Sequence, residues 1–377
     1  MGISLLTIYG ALLALTLVTT DTLLNTNTLY IEAHVASQFE TEGYSPAVVQ
    51  EQLINELTEI ADTKSLIKAP VVKSSDAKSF SAGLASVVSL EDSLKAAQNI
   101  AGLTPPRLFT AAVINDGRRA LELTGRSHVF ERFSITVEGK DKTTGEMFKE
   151  AAYKTFTELD PYIAILYRFT DDRKTTLSAL DVEIDGLLER LKYTPHNDDR
   201  SHLLNLKGII ALDANDVDGA VALFRRSIHA DPTFLVARLN LALSLIQLDR
   251  YQEAIDEINR VTEPWWWRPT GDNILLATAY TIRGVGFWGQ GKLDRAGADF
   301  QYAAVWHPTS TAAYWYWSRL IREMGDTAEA DRKLATANDN LAYFEGYPEV
   351  ALLYFWVSEE DARPLERRSN RLPSWAN

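Results

Sequence analysis

Residues 208–232, GIIALDANDVDGAVALFRRSIHADP, carry the pattern that decides the fold of this chain. A small residue opens the stretch, an alanine follows twelve positions later, and a bulky apolar residue follows four positions after that. This set recurs three times, at steps of 34, 42 and 34 residues (208 to 242, 242 to 284, 284 to 318). The small residues are Gly208, Ala242, Gly284 and Ser318, the alanines are Ala220, Ala254, Ala296 and Ala330, and the bulky residues are Phe224, Ile258, Phe300 and Leu334.

A fixed period of this length is typical of stacked helical hairpins. Two antiparallel helices pack closely only where small residues let them approach at the crossing. One hairpin cannot bury its apolar face alone, so successive hairpins must stack into a solenoid with a concave groove. The eight extra residues of the 42-residue step fall in the connection between the second and third units, around residues 263–271.

The pattern resembles the tetratricopeptide repeat (TPR) family over about residues 201–341. The resemblance implies an all-α solenoid that binds peptides, helices or folded partners in its groove. No particular ligand-binding residue carries over, because the lysines and asparagines of a two-carboxylate clamp are not evident.

Composition excludes several classes of function. Apolar residues make up 46% and charged residues 24% of the chain, which is typical of a folded protein. The net charge of −13 disfavours binding to nucleic acid, which needs a basic surface. There is no cysteine, so disulfides, thiol catalysis and cysteine-ligated metals are excluded. We expect no catalytic residues, cofactor or metal site, and Gly284–Gly289 is a false match to G-x-G-x-x-G because it falls inside a predicted helix.

The N-terminus predicts a membrane anchor. Ile3–Thr20 is a run of eighteen uncharged residues, just long enough for one crossing. A cleaved signal peptide and a buried soluble helix are the alternatives, but no Lys or Arg precedes the run and no Ala-x-Ala site follows it. Residues 21–63 contain no Lys or Arg, so nothing holds them in the cytoplasm. We therefore predict a single-pass protein of a bacterial inner membrane with its body in the periplasm.

Residues 25–172 predict a small α+β domain. Strands are predicted at Thr28–Ala36, Arg107–Ile114, Arg119–Leu123 and Val129–Val137, with Asn115-Asp116-Gly117 as a hairpin turn. Helices are predicted at Pro46–Ile60, Leu90–Ile100 and Glu146–Leu159, and from Pro161 through Tyr167. The sheet should be mostly antiparallel, with the helices packed against it.

The predicted fold class is an α+β N-terminal domain after a single membrane helix, followed by an all-α TPR solenoid. The predicted segments are the anchor (1–24), the α+β domain (25–172), a linker with a capping helix (173–200), four repeats (201–342), and a C-terminal capping helix with a basic tail (343–377).

Aromatic residues outside the repeat columns are the candidate partner-binding residues. Three interpretations stay open for them: a thickened core around the insertion, a surface for a protein partner, or a contact with the membrane interface. The set is Trp265, Trp266, Trp267, Trp288, Tyr302, Trp306, Trp315 and Tyr316.

Three functions follow from these features. The first is a non-catalytic, membrane-anchored adaptor or scaffold whose repeats bind another protein or a membrane complex. The second is an accessory subunit of a membrane complex that uses the anchor as its interface, where Gly10 and Ala14 form a small-xxx-small pair. The third is a small-ligand sensor in residues 28–170, with the repeats as a docking arm.

Overall fold

The computed structural model describes residues 30–37, 40, 43–67, 107–115, 118–127, 129–170, 176–194, 198–262, 273–343 and 347–351. They fall into two compact units, one from Met1–Thr63 and Ala69–Tyr167 and one from Lys64–Lys68 and Arg168–Asn377. The predicted anchor, the predicted helix Leu90–Ile100 and Trp265–Trp267 lie outside the described residues. Within the described ranges, no helix is both long and apolar enough to span a bilayer.

The first unit contains a four-stranded sheet in the order β1-β2-β3-β4. The strands are β1 (Tyr30–Val35), β2 (Arg107–Asn115), β3 (Arg118–Ser127) and β4 (Glu131–Glu138). β1 pairs with β2 in parallel, and the other pairs are antiparallel. Apolar and polar residues alternate along β4, where Phe133, Ile135 and Val137 are buried, so one face of the sheet is the core face. The predicted strands and the mostly antiparallel sheet are confirmed.

Two helices cover this core face. α1 (Pro46–Ala61) has Ser45 as its N-cap and Pro46 in its first turn, as the sequence predicts. α2 (Thr144–Leu159) starts with a capping box between Thr143 and Glu146. α1 packs against β1 and α2, while α2 packs against β3 and β4. A short break at Asp160 separates α2 from α3 (Pro161–Thr170).

The second unit is helical. Its first complete helix is α4 (Leu177–Arg190), which packs against α5 (Asp199–Asp213). Lys207 of α5 reaches Asp185 of α4 at 2.7 Å and Asp181 at 3.0 Å. Burial alone would lower the pKa of Lys207, but its hydrogen bonds to the two carboxylates raise it overall. These ion pairs fasten α4 to the repeats.

Four helical hairpins follow, each made of a first and a second helix that contact each other. They are α5 with α6 (Val217–Ala230), α7 (Leu235–Gln247) with α8 (Tyr251–Thr262), α9 (Asn273–Gly289) with α10 (Leu293–Trp306), and α11 (Thr311–Glu323) with α12 (Thr327–Asn340).

The columns predicted from the sequence lie in the interior of the hairpins, except that Leu334 of the last hairpin is only partly buried. Ala220, Ala254, Ala296 and Ala330 are at most 1% exposed. Phe224 and Phe300 are fully buried, and each ring lies against the glycine of its first helix. A Cβ atom at Gly208 would lie 2.5 Å from Phe224 Cε1, and one at Gly284 would lie 2.7 Å from Phe300 Cε1. The small residues are therefore needed for space rather than for backbone freedom.

The turn inside each hairpin repeats its backbone geometry. Asn215, Asp249, Gly291 and Gly325 all have positive φ, and they are spaced by the same steps as the small residues. The residue after each of them donates its N–H to a carbonyl five positions back, as in Asp216 to Ala211 (2.8 Å) and Lys292 to Phe287 (2.9 Å). This left-handed helix ending is a Schellman-type cap. The turns of the four hairpins therefore share the same main-chain conformation.

We predict that Gly284→Ala destabilises the protein by about 1–3 kcal/mol, because the added methyl group overpacks the contact with Phe300. Gly297→Ala is the matched control. Gly297 lies inside α10, and a methyl group added there would have Leu320 Cδ2 as its nearest neighbour, at 3.6 Å. That substitution should stabilise the protein by about 0.5–1 kcal/mol through helix propensity. Urea unfolding followed by circular dichroism measures both, and equal effects from the two substitutions would contradict the packing argument.

Candidate functional site

The candidate site lies on the face formed by the first helices of the hairpins, called here the first-helix face. α5, α7, α9 and α11 contact one another in sequence order, in addition to their own second helices. In a solenoid, the helices that contact the equivalent helix of the next repeat line the concave surface. This face therefore extends over all four hairpins.

Two asparagines project from this face. Asn205 lies on α5 and Asn240 on α7, and both are at most 1% exposed. Their side-chain amides donate to the same main-chain carbonyl, that of Glu349, at 2.9 Å from Asn205 and 2.8 Å from Asn240. Asn240 Nδ2 also donates to Asn205 Oδ1 at 2.7 Å, which couples the two side chains.

Asn240 uses its amide in both directions. While its Nδ2 donates to the Glu349 carbonyl, its Oδ1 accepts from the N–H of Ala351 at 2.8 Å. One side chain therefore satisfies a main-chain acceptor and a main-chain donor two residues apart. The residues held in this way, 347–351, lie outside the repeat helices.

An apolar cluster surrounds these hydrogen bonds. Phe234, Val236 and Ala237 at the start of α7 pack with Tyr347 and Val350. Partly buried side chains complete the cluster: Leu66, Ile67, Ile228, Ile274 and Leu275. The first-helix face thus combines main-chain recognition by amides with a pocket for apolar side chains.

A second segment of the chain joins the same cluster. The N–H of Leu66 donates to Glu349 Oε1 at 3.0 Å, and the Lys64 ammonium lies 4.8 Å from the Tyr347 ring centroid. These contacts explain why Lys64–Lys68 belongs to the helical unit, although the predicted α+β domain, residues 25–172, includes it. The predicted C-terminal capping helix and basic tail, residues 343–377, stay a prediction, because only 343 and 347–351 of that segment are described.

The candidate aromatic residues divide into three groups. Trp265, Trp266 and Trp267 lie outside the described residues. Trp288, Trp315 and Tyr316 are at most 6% exposed and belong to the packed interior of the repeats. Trp288 Nε1 donates to Glu323 at 2.7 Å, and Tyr316 stacks on Phe300 at 6.2 Å between ring centroids. Burial also raises the pKa of Tyr316.

Only Tyr302 and Trp306, among the described members of the set, present substantial surface. They are 55% and 36% exposed on α10, next to Val305, which is 70% exposed. Their positions, one helical turn apart, put them on the same side of a second helix. A role for these two residues in partner binding stays a prediction.

A partly buried ion pair, Arg283 with Asp299, connects the second hairpin with the third across the insertion. Arg283 of α9 makes two hydrogen bonds to Asp299 of α10, at 2.7 and 2.8 Å. It also donates to Asn259 Oδ1 at 3.0 Å and Thr262 Oγ1 at 3.1 Å, both on α8. The pKa of Arg283 is raised because its guanidinium is hydrogen-bonded to the Asp299 carboxylate. The third hairpin is therefore bonded to the second, although the connection between them is eight residues longer than between the other hairpins.

Comparison with known protein families assigns the repeats. Residues 211–264 match the family model described as Tetratricopeptide repeat. This stretch is a tetratricopeptide repeat. The match runs from the end of α5 to the end of α8, so it includes Asn240 and the helices around it. It confirms the resemblance stated from the sequence columns.

Solved structures similar to this chain include two described as MamA. "MamA 41-end from Desulfovibrio magneticus RS-1" is 16% identical with a TM-score of 0.35, and the match covers 45% of this chain and 90% of that one. "Crystal structure of MamA protein" is 19% identical with a TM-score of 0.35, covering 48% of this chain and 91% of that one. At these scores the similarity carries no argument about function. No curated protein matches the chain.

Sequence reasoning missed the two asparagines of the tetratricopeptide repeats. Both are polar residues inside otherwise apolar helices, LLNLK at 203–207 and RLNLAL at 238–243. A buried amide in such a setting needs a hydrogen-bonding partner, and that was the available signal. The false nucleotide motif Gly284–Gly289 lies inside α9, as expected. In the described part of the chain, no three acidic or histidine side chains are grouped as metal ligands.

Proposed function

We propose that this protein is a non-catalytic scaffold, anchored in a membrane by residues 1–24, whose repeats bind an extended segment of a partner protein. The observation that carries the proposal is the pairing of the Asn240 amide with both a main-chain carbonyl and a main-chain N–H. A side chain in this position can hold a peptide whatever its sequence, because every residue offers the same main-chain groups.

The surroundings of Asn240 support binding with some selectivity. Main-chain hydrogen bonds supply affinity in many peptide-recognition modes, while pockets for side chains supply specificity. Here the pocket is formed by Phe234, Val236 and Ala237. Asn205 adds a second donor to the same carbonyl. Two donors to one carbonyl fix the place along the face at which the peptide binds.

Two ionisable residues of the helical unit support a structural role for the repeats. Arg283 joins α8, α9 and α10, and Lys207 joins α4 to α5. Both groups have raised pKa values because carboxylates hold their charged forms. Each is engaged in the packing of helices against one another.

The scaffold proposal is tested by purifying the tagged full-length chain from its own membranes in mild detergent and identifying stoichiometric partners by mass spectrometry. Asn240→Ala should reduce recovery of the partner by at least about tenfold, because it removes one donor and one acceptor from the interface. Asn340→Ala is the matched control. Asn340 is also buried and also donates to a main-chain carbonyl, that of Pro308 at 3.3 Å, but it lies in α12 of the last repeat.

Equal recovery with Asn240→Ala and wild type would contradict binding at the first-helix face. Loss of the partner on Tyr302→Ser with Trp306→Ser, and not on Asn240→Ala, would move the site to the exposed side of α10. Loss only on removal of residues 1–24 would favour the accessory subunit, bound through its anchor helix.

Membrane anchoring has its own test. The eighteen uncharged residues Ile3–Thr20 support it, as does the absence of Lys and Arg from residues 21–63, which permits export of the body. We expect the full-length chain to stay in the membrane pellet after alkaline carbonate washing, and a chain starting at residue 25 to be released. In spheroplasts, added protease should digest the body. Release of the full-length chain by carbonate would contradict the anchor.

A further inference from the structure

The first-helix face is occupied by the chain itself. Tyr347 and Val350 fill the apolar pocket, and the main chain of Glu349 and Ala351 takes up the hydrogen bonds of Asn205 and Asn240. A partner segment that used the same amides would have to remove residues 347–351 first.

We infer that residues 347–351, Tyr-Pro-Glu-Val-Ala, are an intramolecular ligand of the repeats, and that the partner is a protein segment of the same chemistry. That chemistry is a main-chain turn that presents apolar side chains on both sides of a carboxylate. The inference rests on the proposed function, since it names what the first-helix face binds and what closes it.

The way the segment is held resembles a bound peptide more than a part of the repeat fold. Glu349 lies 144 residues from Asn205 and 109 from Asn240 along the chain, so the contact joins the first two hairpins to a segment beyond the last one. The segment forms a turn, closed by the Val350 N–H donating to the Tyr347 carbonyl at 3.1 Å. Its contacts with α5 and α7 include main-chain hydrogen bonds and two apolar side chains.

The carboxylate of Glu349 defines the selectivity. Glu349 is fully buried, and its Oε1 accepts the N–H of Leu66 at 3.0 Å. A buried main-chain N–H requires an acceptor, and a buried carboxylate requires donors. A competing segment therefore needs an acidic residue at this position, and a lysine there would place an ammonium against the Leu66 N–H.

Occupation by the segment lowers the apparent affinity for any competitor. A ligand that binds only the open form has an apparent Kd equal to its intrinsic Kd divided by the open fraction. A tethered segment competes at a high effective concentration. Opening the face by weakening the segment should therefore tighten the binding of an added peptide.

The test uses a fluorescein-labelled peptide of residues 344–353, FEGYPEVALL, and fluorescence polarisation with the full-length chain in detergent. The opened variant carries Val350→Asp and Ala351→Pro, which place a charge in the apolar pocket and remove the N–H that donates to Asn240. We expect the peptide to bind this variant at least about tenfold more tightly than wild type. The same two substitutions in the peptide should abolish binding, and so should Glu349→Lys in the peptide.

Asn240→Ala in the opened variant should also abolish peptide binding. Equal affinity of wild type and opened variant would overturn the inference, as would no binding to either. Loss of helical circular dichroism in the opened variant would overturn it as well, because the segment would then be part of the fold.

A second measurement examines the closed chain without disrupting it. The protein has no cysteine, so Val350→Cys introduces a single thiol at a fully buried position with a side chain of similar size. We expect saturating unlabelled peptide to accelerate its modification by a maleimide at least about fivefold, because displaced segment exposes the thiol. An unchanged rate would contradict displacement.

These results separate the inference from the proposed function. If the opened variant and wild type recover a partner equally while Asn240→Ala loses it, the intramolecular ligand is overturned and the scaffold stands. If Asn240→Ala also retains the partner, the scaffold function at this face is overturned too.

Discussion

The contact between a phenyl ring and a glycine lets each of two hairpins close, and the rest of the helical unit depends on such close approaches. Phe224 Cε1 and Phe300 Cε1 occupy the space where a side chain of Gly208 or Gly284 would begin. With that space filled by the ring, the two helices of a hairpin meet along alanine columns that are almost completely buried. Protein interiors tolerate little volume change, so the spacing of these residues sets the geometry of the stack. The first helices then contact one another and form a continuous face.

Two polar networks connect helices where the stack departs from its regular repeat, at its start and next to the insertion. Lys207 binds two carboxylates of α4 and closes the beginning of the array, and Arg283 joins α8, α9 and α10 next to the insertion. An arginine with a bidentate carboxylate partner has defined geometry as well as charge. The 42-residue step is thus absorbed in the connection, while the capped turns at Asp249 and Gly291 remain equivalent.

Much of this architecture could be predicted from the sequence because it depends on local periodicity. The strand predicted at Val129–Val137 corresponds to β4, the Ser45-Pro46 pair predicts the start of α1, and the spacing from Gly208 to Ser318 predicts the four hairpins. The turn column at Asn215, Asp249, Gly291 and Gly325 was also visible as residues that accept positive φ. This turn column has the same steps of 34, 42 and 34 residues as the small residues, so it is a second sequence signal of the repeats.

The site could not be predicted in the same way. The bonds between Asn240 and residues 349–351 join positions more than a hundred residues apart, and no local pattern encodes such a contact. A related limit applies to the aromatic candidates: Trp288, Trp315 and Tyr316 lie outside the alanine and phenylalanine columns and are buried, with contacts from Trp288 to Glu323 and from Tyr316 to Phe300. Periodicity within one helix does not report contacts between hairpins.

Hydrogen exchange at the Ala351 amide measures whether the asparagines of the first-helix face hold a main chain. In the full-length chain this N–H donates to Asn240 Oδ1 at 2.8 Å and is buried, so its exchange should be slow. Asn240→Ala should accelerate it at least about tenfold, because the acceptor is removed. Asn340→Ala should leave it unchanged. An Ala351 amide that exchanges in the wild-type chain as fast as in the free peptide would contradict the account.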